Sequence, residues 1–128
     1  MLALSVIYED NHILVVNKTA GLLVQGDKTG DKSLLDLAKK YIKDKYQKPG
    51  EVFLGLVHRL DRPTTGVIVL ARTSKALSRL SQQFKERIPK KIYRAVVSGT
   101  PEPKATLEHY LRKNLSKNKK NTIIFGNS

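Results

Sequence analysis

Apolar residues open the chain in two short runs separated by a polar turn. Ser5-Val6-Ile7-Tyr8 and Ile13-Leu14-Val15-Val16-Asn17 predict strands, with Glu9-Asp10-Asn11 turning the chain between them. Ala20-Gly21 and Gln25-Gly26-Asp27 mark further turns. At Ser33 the period changes. Leu34, Leu35, Ala38, Tyr41 and Ile42 recur at helical spacing and leave the lysines outside, which predicts a helix from Ser33 to about Lys45. Pro49-Gly50 breaks the chain, and Leu54 to Leu56 leads into a polar segment beginning at His58. Gly66-Val67-Ile68-Val69-Leu70-Ala71 is dense in β-branched residues and predicts a buried strand. Thr73 or Ser74 caps a second helix through about Arg87, with Ala76, Leu77, Leu80 and Phe84 turned inward and Pro89 as its stop. Ile92 to Ser98 predicts another strand, ending at Gly99-Thr100-Pro101, and Thr106–Leu111 and Thr122–Phe125 predict two more. Between those two, Arg112 to Asn121 carries five basic residues and no acidic one, the composition of a solvated hairpin or loop.

Hairpins, separated helices and irregular strand spacing predict an α+β fold: a mixed, mostly antiparallel sheet with two flanking helices, in one domain over residues 1–128. Regular βαβ alternation is missing, and neither G-x-x-x-x-G-K nor G-x-G-x-x-G occurs, so nothing points to a nucleotide cofactor. Without a cysteine there is no disulfide framework and no thiolate metal site, which favours a reducing compartment.

Charge changes the picture more. The chain has 24 Lys and Arg against 11 Asp and Glu, a formal net charge of +13. So large an excess on a small domain points to a polyanion, and nucleic acid is the expected partner. The basic residues are not gathered onto one amphipathic helix, which argues against a membrane. The apolar opening Met1 to Ile7 lacks a basic flank and meets Glu9 and Asp10 at once, too short a run for a signal peptide or a membrane span. The expected location is cytoplasmic.

His58-Arg59-Leu60-Asp61-Arg62-Pro63-Thr64-Thr65-Gly66 concentrates the candidate chemistry. An apolar stretch runs directly into cations around one carboxylate, and Pro63 and Gly66 turn the chain back into a buried strand. Such a segment holds Asp61 at a strand end on a rigid turn. Neighbouring guanidiniums from Arg59 and Arg62 would favour its anion, the form that acts as a nucleophile. Thr64 and Thr65 add hydroxyls for the turn or for a ligand. The same residues also fit an Asp–Arg pair that only staples a loop. A metal site would need ligands beyond His58 and Asp61, and the other histidines, His12 and His109, lack ligand-like spacing.

These nine residues resemble the signature of the RluA family of pseudouridine synthases, H-R-L-D, two variable positions, then T-S-G, with Thr65 standing where serine is usual. Ile13-Leu14-Val15-Val16-Asn17-Lys18-Thr19-Ala20-Gly21 resembles that family's N-terminal motif, with Thr19 at a position normally held by proline. Lys91-Ile92-Tyr93-Arg94-Ala95 resembles its lysine-x-tyrosine-x-alanine motif. The resemblance runs from about Val6 to about Val97.

What it implies is isomerisation of a uridine within ribosomal or transfer RNA, without metal, nucleotide or redox cofactor. Asp61 matches the family's essential aspartate, and whether that group attacks the ribose, attacks the ring or assists proton loss stays open. Tyr93 matches the tyrosine that stacks on the target base. Arg59 matches the arginine that fills the space a flipped base leaves, a flip that costs a few kcal/mol. His58, Arg62, Thr64 and Thr65 are the remaining expected RNA contacts. The family's catalytic domain extends well past this length, and a later strand supplies a basic partner for the aspartate; no such motif occurs between Thr100 and Ser128. The expectation is therefore the N-terminal part of a catalytic domain, without an S4-type module. Such a truncated chain is expected to be inactive alone and prone to self-association. The alternative function is a catalytically incomplete RNA-binding fragment.

Overall fold

The alternating runs at the start of the chain become neighbours in one sheet. The computed structural model describes residues 3–114 and 119–124, with side chains through 110, and the chain divides into two units, 1–91 and 92–128. In the first unit β1 (Ser5–Glu9), β2 (Ile13–Lys18), β3 (Gly55–Leu56) and β4 (Gly66–Ala71) form an antiparallel sheet in the order β1-β2-β4-β3. The fold is α+β as predicted, and every described strand pair is antiparallel. Ile7 is bulged out of the β1–β2 register, which shifts between Val6 and Tyr8.

Two helices take opposite faces of this sheet. Leu14 lies across from Leu70 and Val16 across from Ile68, so the four side chains share one face. There they meet Leu34, Ala38 and Ile42 of α1 (Leu34–Tyr46), with Leu22, Val24, Val52 and Leu54 closing the core. Fully burying side chains of this size contributes about 1.5–3 kcal/mol each. Gly55 and Ala71 are paired one position on and therefore point the other way. A Cβ on Gly55 would lie 2.7 Å from a methyl of Leu77, so α2 (Ser74–Lys85) comes down onto this face where no side chain stands.

The helix ends explain the boundaries. Ser33 forms a capping box: its hydroxyl oxygen accepts from Asp36 N–H at 3.2 Å, and the Asp36 carboxylate accepts from Ser33 N–H at 2.9 Å. The next two N–H groups, of Leu34 and Leu35, donate to the carbonyls of Leu23 and Val24, which ties the preceding loop to the helix. α2 is capped by Thr73. It stops at Lys85, two residues short of the expected Arg87, because Arg87 turns left-handed at φ 57°. Arg87 N–H then donates to Phe84 and Ile88 N–H to Gln83, closing the last turn.

The second unit departs more from expectation. No strand forms over 92–98: Ile92, Tyr93, Val96 and Val97 are exposed, and that stretch pairs with no strand among the described residues. Propensity alone does not make a strand where no neighbouring edge takes up its hydrogen bonds. The strand expected from Thr106 begins instead at Tyr110, and it runs on into the basic stretch. β5 (Tyr110–Asn114) pairs antiparallel with β6 (Lys119–Ile124), so the basic segment is largely hairpin strand. Phe125, the expected end of the last strand, lies outside the described residues.

At the β1–β2 end of the first unit, four polar side chains converge on Glu9. Its carboxylate accepts from the Tyr41 hydroxyl at 2.8 Å, the Lys45 ammonium at 2.9 Å, the Tyr46 hydroxyl, and Arg72 at 3.3 Å. Arg72 also donates to the Asp10 carbonyl and lies over the Tyr46 ring. The carboxylate thereby joins β1, α1 and the end of β4. Burial pushes its pKa up, but the hydrogen bonds from Tyr46, Lys45 and Tyr41 outweigh that and hold it at about 2. Because the folded value lies below the ordinary 4.5, the contribution is present above that pH and is lost as pH falls through about 2. Glu9→Gln is expected to lower stability at neutral pH by on the order of 2–3 kcal/mol and to flatten the acid limb between those values. Thermal melts of both proteins across that range check this; parallel acid limbs would remove Glu9 from the account.

Candidate active site

The His58–Gly66 segment reaches the sheet where β2 ends and β4 begins, with Lys18 paired to Gly66. Gly66 enters β4 at φ 143°, a conformation side chains rarely adopt, so the glycine is what lets the chain leave the loop at this angle. Just before it, Thr64 N–H donates to the Asp61 carbonyl at 2.9 Å and closes a tight turn around Arg62-Pro63.

Lys18 holds that turn from beneath. Strand alternation puts it on the same face as Leu14 and Val16, and its side chain is fully buried, at 0 % exposure. The ammonium donates to three main-chain carbonyls: Thr19 at 2.9 Å, Arg62 at 2.9 Å and Thr64 at 2.7 Å. Two of these acceptors bracket the turn next to Asp61. Burial draws the Lys18 pKa down, and the negative charge of Asp61 opposes the shift. A charge at this depth is tolerable because all three of its donor positions find acceptors.

A second set of bonds ties the same turn sideways. Gly21 N–H donates to the Arg62 carbonyl at 2.8 Å, and the Arg62 Nε donates back to the Gly21 carbonyl at 2.9 Å. Its Nη2 reaches Asp31 at 2.8 Å. That ion pair is about half exposed and contributes little by charge alone, so the main-chain bonds do most of the positioning.

His58 faces the sheet. Its Nε2 accepts from Val69 N–H at 3.0 Å, and its ring stacks on Phe84 of α2 with centroids 4.8 Å apart. Burial lowers the imidazole pKa, and nearby Lys91 lowers it further. An Nε2 that accepts carries no proton, so the neutral ring bears its hydrogen on Nδ1.

Of the residues the sequence singled out, six lie in this one loop. Arg59, Asp61, Arg62 and Thr65 are exposed, and His58 and Thr64 are half-buried. Tyr93 belongs to the second unit, where it is 65 % exposed. Among the described residues neither Arg59 nor Arg62 forms an ion pair with Asp61: Arg62 is turned to Gly21 and Asp31, and the cation whose charge interacts with Asp61 is Lys18. Sequence reasoning missed Lys18, although the period of two in β2 already placed it on the buried face. The product is a carboxylate on an exposed, doubly anchored turn above a buried cation, a geometry suited to presenting an anion to a substrate held outside.

Residues 12–127 match the model of the RNA pseudouridylate synthase family. The ribosomal large subunit pseudouridine synthase D of Neisseria meningitidis serogroup B is 43% identical over 101 residues, a match covering 77% of this chain and 26% of that protein. The dual-specificity RNA pseudouridine synthase RluA of Haemophilus influenzae is 43% identical over 97 residues, covering 75% of this chain and 41% of that one. Among solved structures, human RNA pseudouridylate synthase domain containing 4 superposes with a TM-score of 0.56 at 31% identity, covering 66% of this chain and 30% of that chain. The chain thus spans well under half the length of the relatives it matches.

Lys18→Met keeps most of the side chain's bulk and strands three carbonyls without their donor. The expected cost is on the order of 3 kcal/mol. Amide exchange at Thr64, whose N–H closes the turn, should accelerate more than exchange at Ile68 in mid-strand. Equal protection of Thr64 in both proteins would mean that the turn holds itself.

Proposed function

This chain belongs to the RNA pseudouridylate synthase family, and from that premise we propose that it supplies the catalytic loop of an enzyme that converts uridine to pseudouridine in ribosomal or transfer RNA, with Asp61 as the nucleophile. The observation that carries the reading is the exposed Asp61 on a turn fixed by Lys18 and Gly21. An anion held this rigidly loses little freedom when a substrate arrives, which is how positioning lowers a barrier.

In the proposed reaction the bond from C1′ to N1 breaks and one from C1′ to C5 forms. C5 gives up a proton and N1 gains one, so the change is an isomerisation with no oxidant or reductant. The target base must leave its stack to reach Asp61. Arg59, exposed two residues before it, is suited to fill the vacated space, and Tyr93 to stack on the extruded base. Arg62 acts within the protein as well as toward RNA, since its guanidinium already serves Gly21 and Asp31. For His58 the engaged Nε2 supports a part in shaping the loop, leaving Nδ1 to meet a ligand. Thr64 and Thr65 offer hydroxyls at the rim. Phosphates follow the excess of basic residues. The proposal includes a cytoplasmic location, with which a chain free of cysteine agrees.

A second reading is a catalytically incomplete RNA-binding fragment, in keeping with the 26% to 41% of its relatives' length that the chain spans. It would expose apolar surface and self-associate.

Asp61→Asn keeps the side chain's shape and removes the anion. In a protein that carries this sequence and forms pseudouridine, the substitution is expected to abolish product while changing RNA affinity less than about threefold; chromatography of digested nucleosides reads the product. Product from a clean Asp61→Asn preparation would sink the nucleophile assignment. The 128 residues assayed alone separate the two readings: RNA binding without product supports the fragment, and robust turnover by a monomer rejects it.

A further inference from the structure

Away from the Asp61 loop, the first unit holds a cavity of about 460 Å³ lined by His12, Lys75, Ala76, Arg79 and Leu80. It lies by the opposite end of β2. His12 precedes Ile13 at the start of that six-residue strand, and Lys18 under the catalytic loop ends it, so the two places are separated by roughly 20 Å of strand. Lys75 and Arg79 stand four residues apart on one face of α2, where like charges repel. Lys40, Lys45, Arg62 and Arg72 all have carboxylate partners. Among the described residues Lys75 and Arg79 have none, as is true of most of the chain's other cations; what sets this pair apart is that it borders a cavity that no acidic side chain lines. Asp10, two residues before His12, accepts instead from the Tyr8 hydroxyl and from the main-chain N–H groups of His12 and Ile13.

We propose that this cavity binds one nucleotide of a single-stranded RNA segment, its phosphate on Lys75 and Arg79 and its base against Ala76 and Leu80 beside the His12 ring. The inference rests on the reading that the protein acts on RNA, and it adds a second contact point to that reading. The volume falls in the range of small-ligand pockets, and the lining has the division of labour such a ligand needs. Two cations meet the backbone, an apolar floor accepts a base face, and imidazole and guanidinium planes are among the groups on which unstacked bases settle. A plain phosphate site would have no use for the apolar floor, and an apolar ligand none for two unpartnered cations. A strand engaged both here and at Asp61 would be held on either side of the intervening nucleotides, which fixes where the target uridine falls.

The test uses the 128-residue chain and a hexauridylate oligonucleotide, with inorganic phosphate as the second probe. Adding the oligonucleotide to the chain is expected to shift the methyl signals of Ala76 and Leu80 and the ring signals of His12, while inorganic phosphate at the same concentration leaves the methyls unmoved. Lys75→Glu/Arg79→Glu should weaken oligonucleotide binding at least tenfold and lower the log–log salt slope by about one unit. Lys43→Glu/Lys48→Glu makes the same change of charge on exposed residues of α1 and just beyond it, on the other face of the sheet, and should cost less than about threefold. Equal losses from the two double variants, or binding without movement of the pocket signals, would overturn the pocket and leave the proposed reaction standing. Methyl shifts caused equally by phosphate would overturn the nucleotide and leave only an anion site. Failure of the wild-type chain to bind the oligonucleotide at all would also overturn the pocket, whereas the reaction is judged separately by product formed.

Discussion

A charge buried to 0 % exposure in an otherwise apolar face is the constraint around which the first unit is arranged. An unpaired ammonium at that depth would cost several kcal/mol, so Lys18 demands acceptors, and the only ones it takes are carbonyls of the main chain. To supply them the chain must bring residues 19, 62 and 64 to one point. This joins the end of β2 to the turn before β4 and leaves Asp61 on the outside. The placement of the loop against the sheet, with its carboxylate outside, thus follows from satisfying one cation.

Glu9 repeats the arrangement with the opposite sign at the other end of β2. There a nearly buried carboxylate collects two tyrosines and a lysine from α1 and an arginine from just beyond β4, and between the two charged ends the sheet buries only aliphatic side chains. Aliphatic packing drives association but tolerates sliding, whereas a charged group with a fixed set of partners accepts one register only. The β2–β4 pairing is pinned at both ends in this way. α2 is fixed differently, by the gap at Gly55 into which Leu77 descends and by Phe84 lying on His58.

Much of this was legible in the sequence, for identifiable reasons. Both helices and the central strands obey a single period over their whole length, and Ser33, Thr73 and Gly66 are punctuation with a mechanism. The Asp61 loop stood out because so many charges adjoin a buried strand. Less legible were the long-range polar bonds. Nothing local says that Arg62 turns to Asp31, thirty-one residues away, or that Tyr41 and Tyr46 meet Glu9. The arginines flanking Asp61 drew attention as its partners by adjacency, yet the interacting cation comes from position 18. Ile92–Ser98 misled in the other direction, because its β-branched residues carry strand propensity and a strand also needs an edge to join.

The imidazole of His58 has a consequence for how the sheet ends. β3 contributes only Gly55 and Leu56 to its pairing with β4, so the next outward-facing donor, Val69 N–H, would be left open along that edge. His58 fills it with a side-chain nitrogen. The ladder is terminated by a ring in place of a peptide, and a stray strand approaching from that side finds the docking position already taken. The residue that opens the Asp61 loop thereby also fills a hydrogen-bonding position on the edge of the sheet. A single histidine lets the chain leave that edge with its next donor already occupied.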